Sequence, residues 1–403
     1  MTAVGERLLK SASVFAAPSF AGRFDKLGVV IFALAAAALP LEPFATLKAN
    51  RIVSGKGLSF FDALPAAVAE PAFGLLLAAA ILALLRTRPE LKLVAGAVAI
   101  IAILALIGLV PGHVVPPEAS LARVAPASGF WILIFAFAIL VADAMARLEL
   151  GPVARVSALA AAALVVGAIL GSGLWNGLSV LKEYAAHSDA FWREGATHVE
   201  LAFSSLAAAV LAGLPLGVAC QRSPALRSAT LPVLNIIQTV PSIAMYGLMM
   251  APLGLLAARF PVLQDFGVRG IGAAPALIAL FLYSLLPVTA NVVVGLEQAP
   301  AEVVEAAKGM GMTGSQRLLR VELPLAFPVI LTGIRVVLVQ NIGLVTVAAL
   351  IGGGGFGELV FQGIGQSAND LVLLGAAPTI ALAFIAAILL DALIEWLDKR
   401  KHP

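Results

Sequence analysis

The side chains able to do chemistry are sparse in this chain, and they do not converge. Cys220 is the single cysteine, which excludes a disulfide framework and any cysteine-based metal site. His113, His187, His198 and His402 lie far apart with no two at i and i+4, so no metal ion is expected. Gly309/Gly311/Gly314 and Gly352/Gly354/Gly357 both have G-x-G-x-x-G spacing. Neither follows a strand in a βαβ unit, the context a dinucleotide site needs. No Walker A sequence and no nucleophile–base set occurs, so no catalytic residue is assigned and any ATP hydrolysis falls to a partner. What remains is neutral polarity in apolar surroundings: Gln238, Asn291, Gln340 and Asn341. Such groups suit hydrogen bonding between helices, and they also suit the lining of a solute path.

The elements that must position these groups are membrane helices. Hydrophobic residues make up 61% of the chain and charged ones 12%, well below the roughly one quarter of a soluble domain. A bilayer core takes about 20 apolar residues per helix. Spans are expected near 27–46, 66–85, 93–110, 129–146, 156–174, 200–219, 229–250, 271–294, 326–350 and 371–396. The class is therefore all-α, polytopic, with about ten transmembrane helices. Pro241 and Pro252 interrupt the 229–270 stretch. The first apolar stretch, from Leu27, is long and lacks a cleavage-like end, which reads as an anchor and not a signal peptide.

Charge orients the spans. With the N-terminus in the cytoplasm, 17 of the 26 Lys and Arg fall on cytoplasmic segments and 8 on external ones, Arg335 lying within a span. This follows the positive-inside rule and puts both termini in the cytoplasm. The polar stretch at 176–199 reads as an external linker between an N-terminal five-helix extension, 1–175, and a core, 200–396, with a cytoplasmic tail at 397–403. Charges inside hydrocarbon usually mark ion or proton paths. The span interiors hold almost none, and Asp143, Asp391 and Glu395 lie toward expected cytoplasmic ends. An ion-coupled secondary transporter is thereby disfavoured.

The longest internal cytoplasmic connection, 297–325, is the informative one. Val303, Val304, Ala307 and Met310 share a face at helical spacing, with Glu302, Glu305 and Lys308 beside them. Gly311 is placed to end that helix, Thr313 to cap a second one from Gly314, and Pro324 to limit it. Two short amphipathic helices form either a loop lying on the bilayer or a knob that docks into a partner's groove.

The same residues resemble the EAA motif of binding-protein-dependent ABC importer permeases. Glu305-Ala306-Ala307 is followed after three residues by Gly311, then after nine by Val321-Glu322-Leu323-Pro324, with Val321 where the motif has isoleucine. The resemblance implies a type I importer-like core whose coupling helix, with Gly309 also in its run, fits a cleft in a separate ABC ATPase carrying ATP and magnesium. It further implies a periplasmic or lipid-anchored substrate-binding protein and a second permease, identical or related. Membrane lipid is the surrounding partner; no nucleic acid is expected.

From about His198 onward, Gln238-Thr-Val-Pro241-Ser242, Ala306 to Thr313 and Leu350 to Gly357 look like the osmoprotectant branch, which imports glycine betaine, choline or similar quaternary ammonium compounds. The N-terminal extension is similar to that of Yeh-type glycine betaine systems. An amino-acid permease shares the same motif logic and is the alternative. Trp175, Tyr246 and Tyr283 are candidate cation contacts or packing aromatics, and Arg335 is expected to find a carboxylate or carbonyl partner or to snorkel. Gly213/Gly217 and Gly167/Gly171 are expected to pack helices, with a dimer contact as alternative. The run around Gly354 and Gly355 is either a gate or a tight re-entry turn.

Overall fold

The computed structural model describes residues 24–399 apart from Ile52, Ser120 and Phe266. Arg7, Lys10 and Arg23 of the expected cytoplasmic N-terminus, and Arg400, Lys401 and His402 of the tail, lie outside the described residues. Among the described residues nine helices are long and apolar enough to cross a membrane, and a tenth apolar helix, α1 (Lys26–Leu41), is shorter. The chain divides into two compact units. The first runs to Leu150 and takes in Ala163–Lys182; the second comprises Gly151–Ala162 and everything from Glu183.

The first unit contains α1, β1 (Ala45–Lys48), β2 (Lys56–Leu58), α2 (Phe60–Ala63), α3 (Ala66–Leu84), α4 (Pro89–Val114), β3 (Arg123–Pro126) and α5 (Ser128–Arg147). Alanines at 35, 80, 83, 99 and 136 are fully buried and let these helices approach closely around Ile31, Leu76, Ile103, Leu133 and Phe137. The strands form an antiparallel sheet in the order β2-β1-β3, with Ala45 opposite both Leu58 and Pro126. Phe44 sits edge-on to Phe60 at 5.2 Å and to Phe130 at 6.1 Å, seating the sheet on the helix ends. Hydropathy does not predict this sheet, because strands of three or four residues are too short to register. Trp175 donates from Nε1 to the Leu104 carbonyl at 2.8 Å, an anchoring role within this unit.

α6 (Pro152–Gly171) buries none of its residues, and Gly167 and Gly171 face open space, so among the described residues that pair packs no neighbour. The stretch at 176–199, expected as a linker, is helical from Ser179 onward. α7 (Ser179–Arg222) runs through it with a kink at His187. Its polar residues mislead by composition alone: Glu183 and His198 are buried.

The second unit continues with α8 (Pro224–Thr239), α9 (Ser242–Arg259), the single turn α10 (Val262–Asp265), α11 (Ala273–Glu297) and α12 (Ala301–Gly309). The span expected at 229–250 is thus two helices. Val240 is extended ahead of Pro241, as the residue before a proline tends to be, and the helix stops there. After α12 come α13 (Gly314–Arg317), a π-helical segment Leu318–Glu322, α14 (Leu323–Ala348), a 3-10 turn Ala349–Ile351, α15 (Gly357–Gly365) and α16 (Asn369–Lys399). Gly213 and Gly217 bring α7 against Val288, Thr289 and Val292 of α11. α11, α14 and α16 pack together, with Leu280, Val288, Val337 and Val345 at their centre.

Candidate functional site

The segment from α12 to α14 is built by local capping. Glu302 stands in the first turn of α12 and Lys308 in the last, each on the side the helix dipole favours. Gly311 takes φ +77°; its N–H donates to the Lys308 carbonyl at 2.9 Å and the Met312 N–H to the Ala307 carbonyl at 3.2 Å. This is a Schellman end, and its left-handed residue favours glycine. Thr313 then opens α13 with a capping box: the Gln316 N–H donates to Thr313 Oγ1 at 3.3 Å, and the Thr313 N–H to Gln316 Oε1 at 2.9 Å.

Pro324 does not limit this second helix, contrary to expectation. Lacking an N–H, it cannot make the ordinary i→i−4 bond, and the Leu323 N–H reaches back to the Leu318 carbonyl in a π-turn. The helix therefore continues from Gly314 into α14 without a break. The Arg317 Nε–Glu322 Oε1 pair, 2.6 Å, spans the π segment.

Of the seven expected coupling residues, Ala307 is buried under α12 and Leu323 is half-buried. Glu305, Ala306, Gly309, Gly311 and Pro324 are exposed. Glu305 pairs with Lys308 at 2.6 Å, and that hydrogen bond holds its carboxyl below the usual range. Exposed Val303, Met310 and Leu319 add apolar surface beside these charges. Two contacts brace the ends of the segment: Arg227 of α8 pairs with Glu297, and Arg222 of α7 approaches the Gly314 carbonyl at 3.5 Å. These arginines are distant in sequence from the motif, so no spacing rule could have found them.

The polar residues expected along a path fall into separate groups. Pro287 leaves the Tyr283 carbonyl of α11 without its helical donor, and Gln238 supplies one from Nε2 at 2.8 Å. The Tyr283 hydroxyl in turn donates to Val240, at the break where exposed Pro241 and half-buried Ser242 begin α9. Tyr246 donates to the Leu344 carbonyl at 2.9 Å. Both tyrosine hydroxyls thus serve helix ties.

Asn341 is fully buried and donates from Nδ2 to Ser205 Oγ at 2.9 Å and Ser284 Oγ at 3.0 Å, joining α7, α11 and α14. Ser205 and Ser284 were not singled out by the sequence. Asn291 donates to the Pro287 carbonyl at 2.8 Å and fills the space beside Gly333. Gln340 is half-buried, and its side chain makes no hydrogen bond among the described residues. Arg335 pairs with Asp391 of α16, as one of its expected roles required, and Arg155 pairs with Glu395.

Gly354 and Gly355, with φ of +78° and +88°, run against α7. The Gly355 N–H donates to Glu194 Oε2 at 2.9 Å and the Phe356 N–H to His198 Nδ1 at 3.2 Å. His198 Nε2 meets the Ile342 carbonyl at 2.9 Å, so Nε2 carries the proton and Nδ1 accepts. Glu194 and His198 stand one helical turn apart, a spacing visible only once the region is read as helix.

Sequence comparison with known proteins finds matches to both halves of the chain. Residues 209–403 match the family described as binding-protein-dependent transport system inner membrane component. Osmoprotectant import permease protein OsmY of Salmonella typhimurium is 38% identical over 243 residues, covering 60% of this chain and 93% of OsmY. The chain belongs to the ABC importer permease family. Residues 25–181 of the permease match the N-terminal domain of ABC transporter permease YehY. The glycine betaine/carnitine/choline permease OpuCB of Bacillus subtilis is 36% identical over 188 residues, 47% of this chain and 79% of OpuCB. A solved chain of the MetNI methionine ABC transporter, inward facing, covers 52% of this chain and 96% of its own with TM-score 0.45 and 20% identity. The protein is a multi-pass membrane permease with a helical fold, and its relatives carry osmoprotectants.

Proposed function

We propose that this permease imports an osmoprotectant such as glycine betaine, choline or a related quaternary ammonium compound, driven by ATP hydrolysed on a separate subunit. The observation that carries the substrate class is the 38% identity to OsmY across nearly all of that protein's length. Neutral side chains along α8, α11 and α14, with the acidic Asp391 and Glu395 each paired to arginine, leave no isolated carboxylate there to trap a cation. The exposed α12 knob, with Glu305, Gly311 and apolar Val303, Met310 and Leu319, is the handle for the ATPase. Two permease copies flank the path. A periplasmic or lipid-anchored binding protein delivers the solute, and both termini face the cytoplasm of a bacterial inner membrane. ATP and magnesium bind the partner alone. ATP binding closes the two ATPases, the knob passes that motion to the core helices, and the path opens toward the loaded binding protein.

The test is ATP-driven uptake by the permease with its ATPase and binding protein, reconstituted in vesicles. Labelled glycine betaine, choline and carnitine are compared with methionine and histidine. Accumulation of the quaternary ammonium solutes is expected. Accumulation of the amino acids instead, or uptake that survives without ATP but collapses with an uncoupler, refutes the reading.

A further inference from the structure

We infer that Glu194 and His198 on α7 are positioning residues that clasp the glycine loop Gly352–Gly357 and hold it as the moving element of the transport cycle. The inference deepens the import reading above and rests on it. α15 has no side-chain cap of its own, and the amides leading into it would be without acceptors. Glu194 and His198 supply them from about 160 positions earlier in the chain, one with a carboxylate oxygen and one with an imidazole nitrogen. Phe356 completes the clasp. Its ring is buried against Phe191 at 5.1 Å and His198 at 5.4 Å.

The loop approaches α7 so closely that side chains are excluded. A Cβ at Gly354 would meet Glu194 Oε2 at 3.1 Å, one at Gly355 would meet His198 Nδ1 at 3.1 Å, and one at Gly195 would meet the Phe356 ring at 2.9 Å. On its other side the loop is tied by the Gly272 N–H to the Ile351 carbonyl, 2.9 Å, at the start of α11. A backbone of consecutive glycines changes state without steric cost, and its seat against α7 rests on three adjacent residues. Such a joint releases as a unit. Glu358, just beyond the clasp, has its carboxyl pushed up first by burial and then by the negative charge of Glu194.

The experiment uses the full permease assembled with its ATPase in lipid nanodiscs, and in vesicles for uptake. Glu194→Ala removes the acceptor, while Glu194→Gln keeps a carbonyl oxygen in its place. In Glu194→Ala, amide exchange of Gly355 and Phe356 is expected to rise on the order of tenfold. Glycine betaine moved per ATP hydrolysed should fall several-fold, with Glu194→Gln near the parent in both. Unchanged exchange in Glu194→Ala overturns the clasp. Raised exchange with unchanged solute moved per ATP overturns its part in the cycle and makes it a static joint. If the parent complex hydrolyses ATP yet moves no quaternary ammonium solute, the substrate reading has failed, and the exchange result still decides whether the clasp exists.

Discussion

Lys92 and Asn341 hold comparable places in the two units, each a buried polar side chain where helices meet, and they are satisfied by opposite means. Lys92, 2% exposed, gives Nζ to Asp25 Oδ2 at 2.7 Å and to the Ala83 carbonyl at 3.0 Å. Arg147 reaches the same Asp25 oxygen at 2.8 Å and Asp143 at 2.8 Å. Asn341 instead shares neutral hydrogen bonds with two serines whose hydroxyls already hold carbonyls of their own helices. A buried charge knot loses several kcal/mol when one member goes, whereas interhelical neutral bonds average about 0.6 kcal/mol. At these two places the N-terminal unit is held by buried charge and the permease core by neutral bonds that cost less to break.

The comparison breaks most readily at Asp25. Replacing it with Ala strands Lys92 and should cost roughly 3–5 kcal/mol. Limited proteolysis should then cut the first unit well before the second; equal resistance of both would show the knot to be idle. Lys92→Met, an apolar replacement of similar length that leaves Asp25 to Arg147, should cost far less. Next in size, Asn341→Leu should lower stability by about 1–2 kcal/mol, the loss of two neutral interhelical bonds. Chemical denaturation reads it, and a cost matching that of Asp25→Ala would erase the contrast drawn here.

Gly311→Ala forces a side chain into the left-handed region, with open space around it, at about 1 kcal/mol. The expected readout is weaker co-purification of the ATPase with global stability barely moved. Smallest is Glu305→Gln, on a fully exposed group, which should leave thermal unfolding unchanged and weaken only ATPase docking. Because Lys308 keeps the Glu305 carboxyl below its ordinary value of 4.5, the charge persists above that pH. Its contribution is lost only as pH falls through the lowered value, so docking measured at falling pH should stay flat down to about 4.5.

Much of this was legible in the chain because the physics is local. Gly311 and Thr313 announce a helix end and a helix start within three residues, and apolar runs of membrane length announce the spans. The long-range ties were not legible. Nothing near Gln238 says that Pro287 has left a carbonyl open across the fold, and nothing near Arg335 names Asp391. Polar composition at 176–199 concealed a helix because its buried face carries Glu183 and His198 in place of apolar residues. Pro324 read as a stop, yet the helix runs on through it, the Leu318 carbonyl taking its donor one residue further on, at Leu323.

That π-turn has a mechanical consequence. One extra residue in the winding rotates everything beyond it by about 100° relative to an uninterrupted helix. The knob's exposed face and the apolar face of α14 therefore owe their relative azimuth to Leu318–Glu322. Any twist applied at α12 and α13 therefore enters α14 with that phase already set, like a cam fixed on its shaft.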